Sequence, residues 1–219
     1  MPSHGDFHGN TPAGGDTALL LIDVINDLEF AEGDALLQFA LPMAEALVTL
    51  KRRMRAAGLP TVYVNDNFGR WRSDFKQQVA HCLNDGVRGE PLARLLEPDE
   101  EDYFVLKPKH SGFFSTSLDL LLTHMQTRRL ILAGVATNIC VQFTANDAYL
   151  RGYQLSVPAD CSAANTLAAH RTALSEMESL LKADIRPSGE LPLSPVESQD
   201  ETGGIKSHRR DNASSASQP

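Results

Sequence analysis

Three residues that could share one reaction stand just behind apolar runs of this chain: Asp23, Lys107 and Cys140. A thiol can attack a carbonyl, a carboxylate can carry its proton, and an ammonium can hold the charge that develops. Cys140 lies in Gly134-Val135-Ala136-Thr137-Asn138-Ile139-Cys140, which runs from an apolar segment straight into a helical pattern. In the first turn of a helix, unpaired N–H groups and the macrodipole favour an anion. Such a position can lower a thiol pKa well below its free value of about 8.5, and the same N–H groups could receive an oxyanion. On position alone Cys140 reads equally as a small buried hydrophobe. Asp23 alone reads as a cap of the following turn. A Lys directly after a buried strand is harder to explain as solvated decoration, because its stem leaves the sheet at the mouth of a crevice. The convergence of all three is what favours chemistry.

The remaining candidates carry less. Cys161 follows Asp160 without a Gly-containing turn, and Cys82 lies in a polar stretch. Three cysteines at unrelated spacings fit neither a disulfide framework nor a CxxC zinc pair, so free thiols are expected. His110 is near Lys107 but has no carboxylate partner in sequence, and a Cys–His dyad is not favoured. His81, His124 and His170 are isolated on helical segments, and His4 with His8 falls in a small, polar, Gly-rich N-terminus.

The elements that must position these groups alternate. Ala18–Ile22 is a continuous apolar run, as expected of a strand buried on both faces. Residues 60–64, 103–106, 130–133 and 154–157 repeat a β-branched and aromatic pattern, with a weak last strand near 183–185. Helical patterns fill the gaps at residues 36–57 (Gly58 following as a stop), 87–96, 117–125, 138–151 and 165–182. This alternation predicts right-handed crossovers and a three-layer αβα, Rossmann-like domain around a mostly parallel sheet of about six strands. In such sheets ligands bind beyond the carboxyl ends of the strands, where all three residues fall.

Residues 1–16 and 187–219 differ in composition from the middle. The latter hold seven Ser, four Pro and three Gly and no aromatic residue, so both ends are expected to be disordered and the domain to span 17–186. The chain has 219 residues, 20 basic and 28 acidic, for a formal charge of −8. That balance excludes nucleic acid and anionic lipid as expected partners. No uninterrupted apolar run approaches the roughly 20 residues that span a bilayer. The N-terminus lacks a basic start and apolar core, so a cytoplasmic location is expected.

The segments ALLLIDVINDLEF, VLKPKHSGFFSTSLDLLL and LILAGVATNICVQFTANDAYLRGYQLSVPADCSAA, in this order, closely resemble the isochorismatase-like cysteine hydrolases, which include nicotinamidases and N-carbamoylsarcosine amidases. The resemblance runs from about Ala18 to Ala183. It implies an Asp23, Lys107, Cys140 triad; Lys107 rather than Lys109 matches, because it stands four residues before Ser111 of the Ser111-Gly112-Phe113 segment. It further implies a cis Val135–Ala136 peptide, Ala136 and Cys140 amides as oxyanion donors, and hydrolysis of a small amide-type C–N bond through a thioester without a cofactor. A homo-oligomer is also implied. Nicotinamidases of this kind hold a metal with Asp and His after the second strand; Asn65-Asp66-Asn67-Phe68-Gly69-Arg70-Trp71 offers one carboxylate and no His, so no metal is expected. Isochorismatases proper, which cleave a vinyl ether, lack the nucleophilic Cys. Phe30, Asn67, Trp71, Phe113 and Phe114 are candidates to line a partly aromatic substrate pocket. The competing reading is a non-catalytic binding or assembly protein that keeps the fold.

Overall fold

The computed structural model describes residues 16–69 and 74–193. Five strands lie side by side in the order β3 (Tyr103–Lys107), β2 (Thr61–Asp66), β1 (Thr17–Ile22), β4 (Arg129–Val135) and β5 (Gln154–Ser156), and β6 (Ser162–Ala163) also pairs with β4. All pairings are parallel. The helices are α1 (Gly33–Ala56), α2 (Phe75–Asn84), α3 (Glu90–Leu95), α4 (Leu118–His124), α5 (Gln142–Leu150) and α6 (Leu167–Leu181).

Every residue of β1 is buried, as a central strand between two parallel neighbours requires. Its side chains alternate between two cores. Leu19 and Leu21 pack with α1, α2 and α3 residues such as Leu47, Phe75 and Leu92. Ala18, Leu20 and Ile22 pack with α4, α5 and α6 residues such as Leu122, Ala145 and Met177. The period-two alternation of a strand thus divides one apolar run between two helix layers.

Helix α1 is long and apolar enough to cross a bilayer by length and composition. Here Leu36, Ala40, Ala44, Leu47 and Met54 form its buried stripe against the sheet. It stops where expected, with Gly58 at φ 70 just beyond its C-cap.

The differences from the sequence reading have local causes. The helix expected over 87–96 shortens to α3, which starts at Glu90 with Pro91 in its first turn. Helix α2 went unassigned because its stretch is polar on average, although Phe75, Gln78 and Cys82 make a buried face. The weak strand near 183–185 is a single bridge between Ser156 and Asp184. The C-terminal segment expected to lack order from 187 is folded as far as the described residues reach. Ser188–Glu190 form a 3-10 turn and Leu191 is buried. Arg53 donates to the Leu191 carbonyl at 2.8 Å, and Ser188 donates to the Asp160 carboxylate through N–H (2.7 Å) and Oγ (2.8 Å). Residues 1–15 and 194–219, the bulk of the two expected tails, lie outside the described residues.

From β1 the chain moves through β2 to β3 on one side, then starts again with β4 on the other. The reversal between β1 and β4 opens a crevice at their carboxyl ends. Close packing there depends on Gly134: at φ 113 its missing Cβ would stand 2.1 Å from the Ile22 carbonyl oxygen.

Candidate active site

The residue after β1 is Asp23, in the left-handed region at φ 52, an uncommon conformation in which Asp is enriched. Its N–H continues the sheet ladder to the Val64 carbonyl at 3.0 Å, while its Oδ1 accepts the Asp66 N–H at 2.7 Å. The carboxylate is thereby turned inward beneath the end of β2. Lys107, last residue of β3, pairs in register with Asp66 and is fully buried. Its Nζ lies 2.8 Å from Asp23 Oδ2, 3.6 Å from Asp66 Oδ2 and 3.6 Å from Cys140 Sγ.

Cys140 enters from the other side of the reversal. The Val135–Ala136 peptide is cis, and Thr137–Val141 wind as one π-helical turn before α5 begins. The Ala136 carbonyl accepts the N–H groups of both Ile139 (3.0 Å) and Val141 (3.2 Å). Thr137, fully buried, is hydrogen-bonded to His170 Nδ1 at 2.8 Å, which ties the turn to α6. Burial holds the His170 imidazole below its usual pKa.

The electrostatics differ from the sequence expectation in one respect. Burial, and after it the Asp23 carboxylate, push the Cys140 thiol up to about 12, and the opposing Lys107 ammonium does not reverse this. The favourable helix-start field is outweighed because the thiol is withdrawn from water beside an anion. Burial also raises the Asp23 carboxyl, against the pull of Lys107 and a hydrogen bond with Cys140. Lys107 is held above its ordinary value: desolvation alone would lower it, and the attractions of Asp23, Cys140 and Asp66 prevail. The resting arrangement is therefore a neutral thiol against a carboxylate of raised basicity, with a charged ammonium between them. Moving the proton from Sγ to Asp23 leaves the net charge unchanged and places the thiolate beside the ammonium.

The structure brings Asp23, Lys107 and Cys140 together, and the other named residues fall variously. His110 is a further neighbour of the sulfur, Nδ1 3.9 Å from Sγ, with its ring tilted against Phe143 at 5.3 Å between centroids. Phe30 and Phe114 are exposed. Asn67 is buried, its Oδ1 accepting the Gly69 N–H at 2.9 Å, so its side chain holds the turn after β2. Phe113 is buried in the core on the α4–α6 face, with the Arg151 guanidinium 4.6 Å from its ring. Trp71 lies outside the described residues.

Asp66, the last residue of β2, is committed within the protein: Oδ1 accepts the Phe68 N–H at 2.7 Å and Oδ2 faces Lys107. Cys82 and Cys161 are buried free thiols, each pushed up to about 12 chiefly by burial. Sequence reasoning missed the polar groups that brace the site. Asn65 donates to the Ile25 carbonyl at 2.6 Å and Gln78 to the Asp66 carbonyl at 2.9 Å. The run of Asn and Asp after an apolar strand was the available signal for Asn65; Gln78 had none.

Residues 17–185 match the model of the isochorismatase domain. The chain is 41% identical over 170 residues to an uncharacterized isochorismatase family protein of Bacillus subtilis strain 168, covering 78% of this chain and 93% of that one. It is 30% identical over 176 residues to a probable inactive nicotinamidase of Arabidopsis thaliana, covering 75% and 89%. Among solved structures it resembles the N-carbamoylsarcosine amidase of Thermoplasma acidophilum, with a TM-score of 0.62 and 25% identity over 80% of this chain and 98% of that one.

Proposed function

Since the chain belongs to the isochorismatase family, we propose that it is a metal-independent cysteine hydrolase that cleaves a small-molecule C–N bond of amide, carbamoyl or ureido type. The observation that carries this reading is the fully buried Lys107 ammonium, 2.8 Å from a carboxylate and 3.6 Å from a thiol at the crevice of the sheet. Burying such a cation costs several kcal/mol before pairing, and a stability role alone would not call for a thiol in its shell.

In the proposed reaction Asp23 takes the Cys140 proton as Sγ attacks the substrate carbonyl carbon, and Lys107 holds the charge that moves onto sulfur. The carbonyl oxygen becomes an oxyanion received by the Ala136 and Cys140 N–H groups. The intermediate collapses with cleavage of the C–N bond, and Asp23 returns its proton to the departing nitrogen. A water then gives a proton to Asp23 and attacks the thioester. The acid leaves, and the proton returns to Sγ. No cofactor enters this scheme, and Asp66, capping Phe68 and facing Lys107, supplies charge rather than a metal ligand.

The test is ammonia release from a panel of small amides, ureido acids and carbamoyl compounds by wild type beside Cys140→Ala. Release by the wild type alone supports the hydrolase, and equal release by both overturns it. The thiol raised to about 12 favours one other reading, a binding protein that keeps the fold. That reading predicts no release from any panel member, together with Cys140 alkylation no faster than that of a cysteine in a peptide.

A further inference from the structure

Lys107 and Cys140 come from elements on opposite sides of β1, yet their side chains must meet within a few ångströms. Just beyond each of them the chain is clipped to the other. The Gly112 N–H, five residues after Lys107, donates to Thr144 Oγ1 at 3.0 Å. Thr144 Oγ1, four residues after Cys140, donates to the Cys140 carbonyl at 2.7 Å. Thr144 is fully buried, so one hydroxyl spends its only proton and an acceptor lone pair on the two halves of the site.

A Thr that bonds back to the carbonyl four residues earlier is ordinary in a helix. The second bond, to another element, is the informative one. It joins the loop backbone to α5 at a residue whose lack of a side chain is required by β2 and α4 packed on it. A Cβ there would stand 2.8 Å from Val64 Cγ1, 3.1 Å from Leu118 Cδ2 and 3.5 Å from Thr144 Cγ2. The adjacent Ser111 hydroxyl, also buried, donates to Asp147 Oδ2 at 2.5 Å, one helical turn further along α5. Consecutive residues of the β3 loop thus grip consecutive turns of the nucleophile's helix.

We propose that Thr144 is a positioning residue that sets the Lys107–Cys140 separation by joining the β3 loop to the nucleophile turn. The proposal rests on the reading of Cys140 as nucleophile, but its first readout needs no substrate. The rate of Cys140 alkylation by iodoacetamide in the full chain is followed from roughly pH 7 to 10, with the Cys140 peptide quantified by mass spectrometry. The ionisable groups facing the sulfur are Asp23, Lys107 and His110, with Asp66 behind Lys107.

Thr144→Val keeps shape and removes both bonds. With the β3 loop released from the nucleophile turn, the alkylation profile moves to higher pH by about one unit, a tenfold slower rate at fixed pH below it. Thr144→Ser restores the wild-type profile to within about twofold. On any amide the wild type hydrolyses, Thr144→Val lowers kcat about tenfold or more and leaves KM unchanged, as misplacement of reacting groups does. A melting temperature accompanies each variant; if the Val protein does not fold, Thr144→Ala replaces it. A variant without the hydroxyl that alkylates with the wild-type rate and pH profile overturns the proposal, as does failure of Ser to rescue. A wild type that hydrolyses no amide, and whose Cys140 alkylates no faster than a peptide cysteine, would overturn the hydrolase reading instead, while the ratio of the variant's alkylation rate to the wild type's still decides the role of Thr144.

Discussion

Two lysines, Lys51 and Lys107, are drawn out of water and paired with carboxylates at opposite ends of the same sheet. Near the amino ends of β2 and β3, Lys51 is ringed by Asp102 at 2.6 Å, Asp99 at 2.9 Å and the Tyr63 hydroxyl at 3.0 Å. At the carboxyl ends Lys107 has Asp23 at 2.8 Å, and its next contacts are a thiol and a more distant carboxylate, both at 3.6 Å. The carboxyls respond in opposite senses. Asp99, part-exposed, is pulled below 3.8 by its hydrogen bond from Lys51, whereas Asp23 is pushed above 3.8 by burial despite its lysine. In the first cluster pairing wins and the charges are fixed. In the second desolvation wins, leaving a carboxylate able to take a proton from a neighbour. Perturbation toward basicity, rather than the presence of an ion pair, separates the candidate site from the clamp.

Replacing each lysine by methionine is the strongest way to break this comparison. Lys107→Met should lower amide hydrolysis by about a thousandfold or more, because the thiolate loses the cation 3.6 Å from it and Asp23 loses its counter-ion. Lys51→Met should leave kcat/KM within about twofold while destabilising the fold by about 3 kcal/mol in urea, as expected when one partner of a buried pair is removed. Equal losses of activity in the two variants would sink the distinction.

The clusters also differed in how legible they were. Asp23, Lys107 and Cys140 could be read because each lies at or just beyond the carboxyl end of an apolar strand, and parallel topology brings strand ends together whatever their separation in sequence. Lys51, Asp99 and Asp102 stand on a helix and a polar loop, where charged residues are expected at the surface, and only the tertiary arrangement reveals that Lys51 is largely buried. The braces were illegible for a related reason. Thr144 and Ser111 look like neutral polar residues until a loop and a helix are packed against each other. Phe113 and Phe114 are adjacent, and which of them faces the core depended on the turn after β3. The direction of the thiol shift failed because a helix-start argument sees the local field and not the burial, which requires the whole domain.

The pH dependence of the proposed reaction sharpens the comparison from the side of the Lys107 cluster. Activity requires Asp23 ionised opposite a protonated Cys140, or the equivalent state with the proton transferred. Since the Asp23 carboxyl is raised, the acid limb of kcat/KM should lie above 3.8 and fall about tenfold per pH unit below its midpoint. Since the thiol is raised to about 12, its own loss of a proton should cause no decline between roughly pH 7 and 10. A limb near the free-thiol value of about 8.5 would show that Cys140 titrates as an ordinary cysteine.

The smallest effect belongs to the clamp. Asp99 has a folded pKa below its unfolded 3.8, so the stability it contributes is present above 3.8 and is lost as pH falls through the folded value. Its side chain is 45% exposed, which screens the pairing and limits the contribution to about 1 kcal/mol or less. Asp99→Asn should therefore lower stability slightly near neutrality, and the gap between variant and wild type should close in acid below 3.8. Asp23 has the opposite sign. Its raised folded pKa gives a contribution present below 3.8 and lost as pH rises through the folded value, so its burial weighs against the fold under the conditions in which it would act. Unfolding curves of Asp99→Asn and wild type at several pH values test the first half of this contrast directly. A gap that widened in acid would mean that Asp99, too, is governed by burial, and the two lysine clusters would then differ in their neighbours but not in kind.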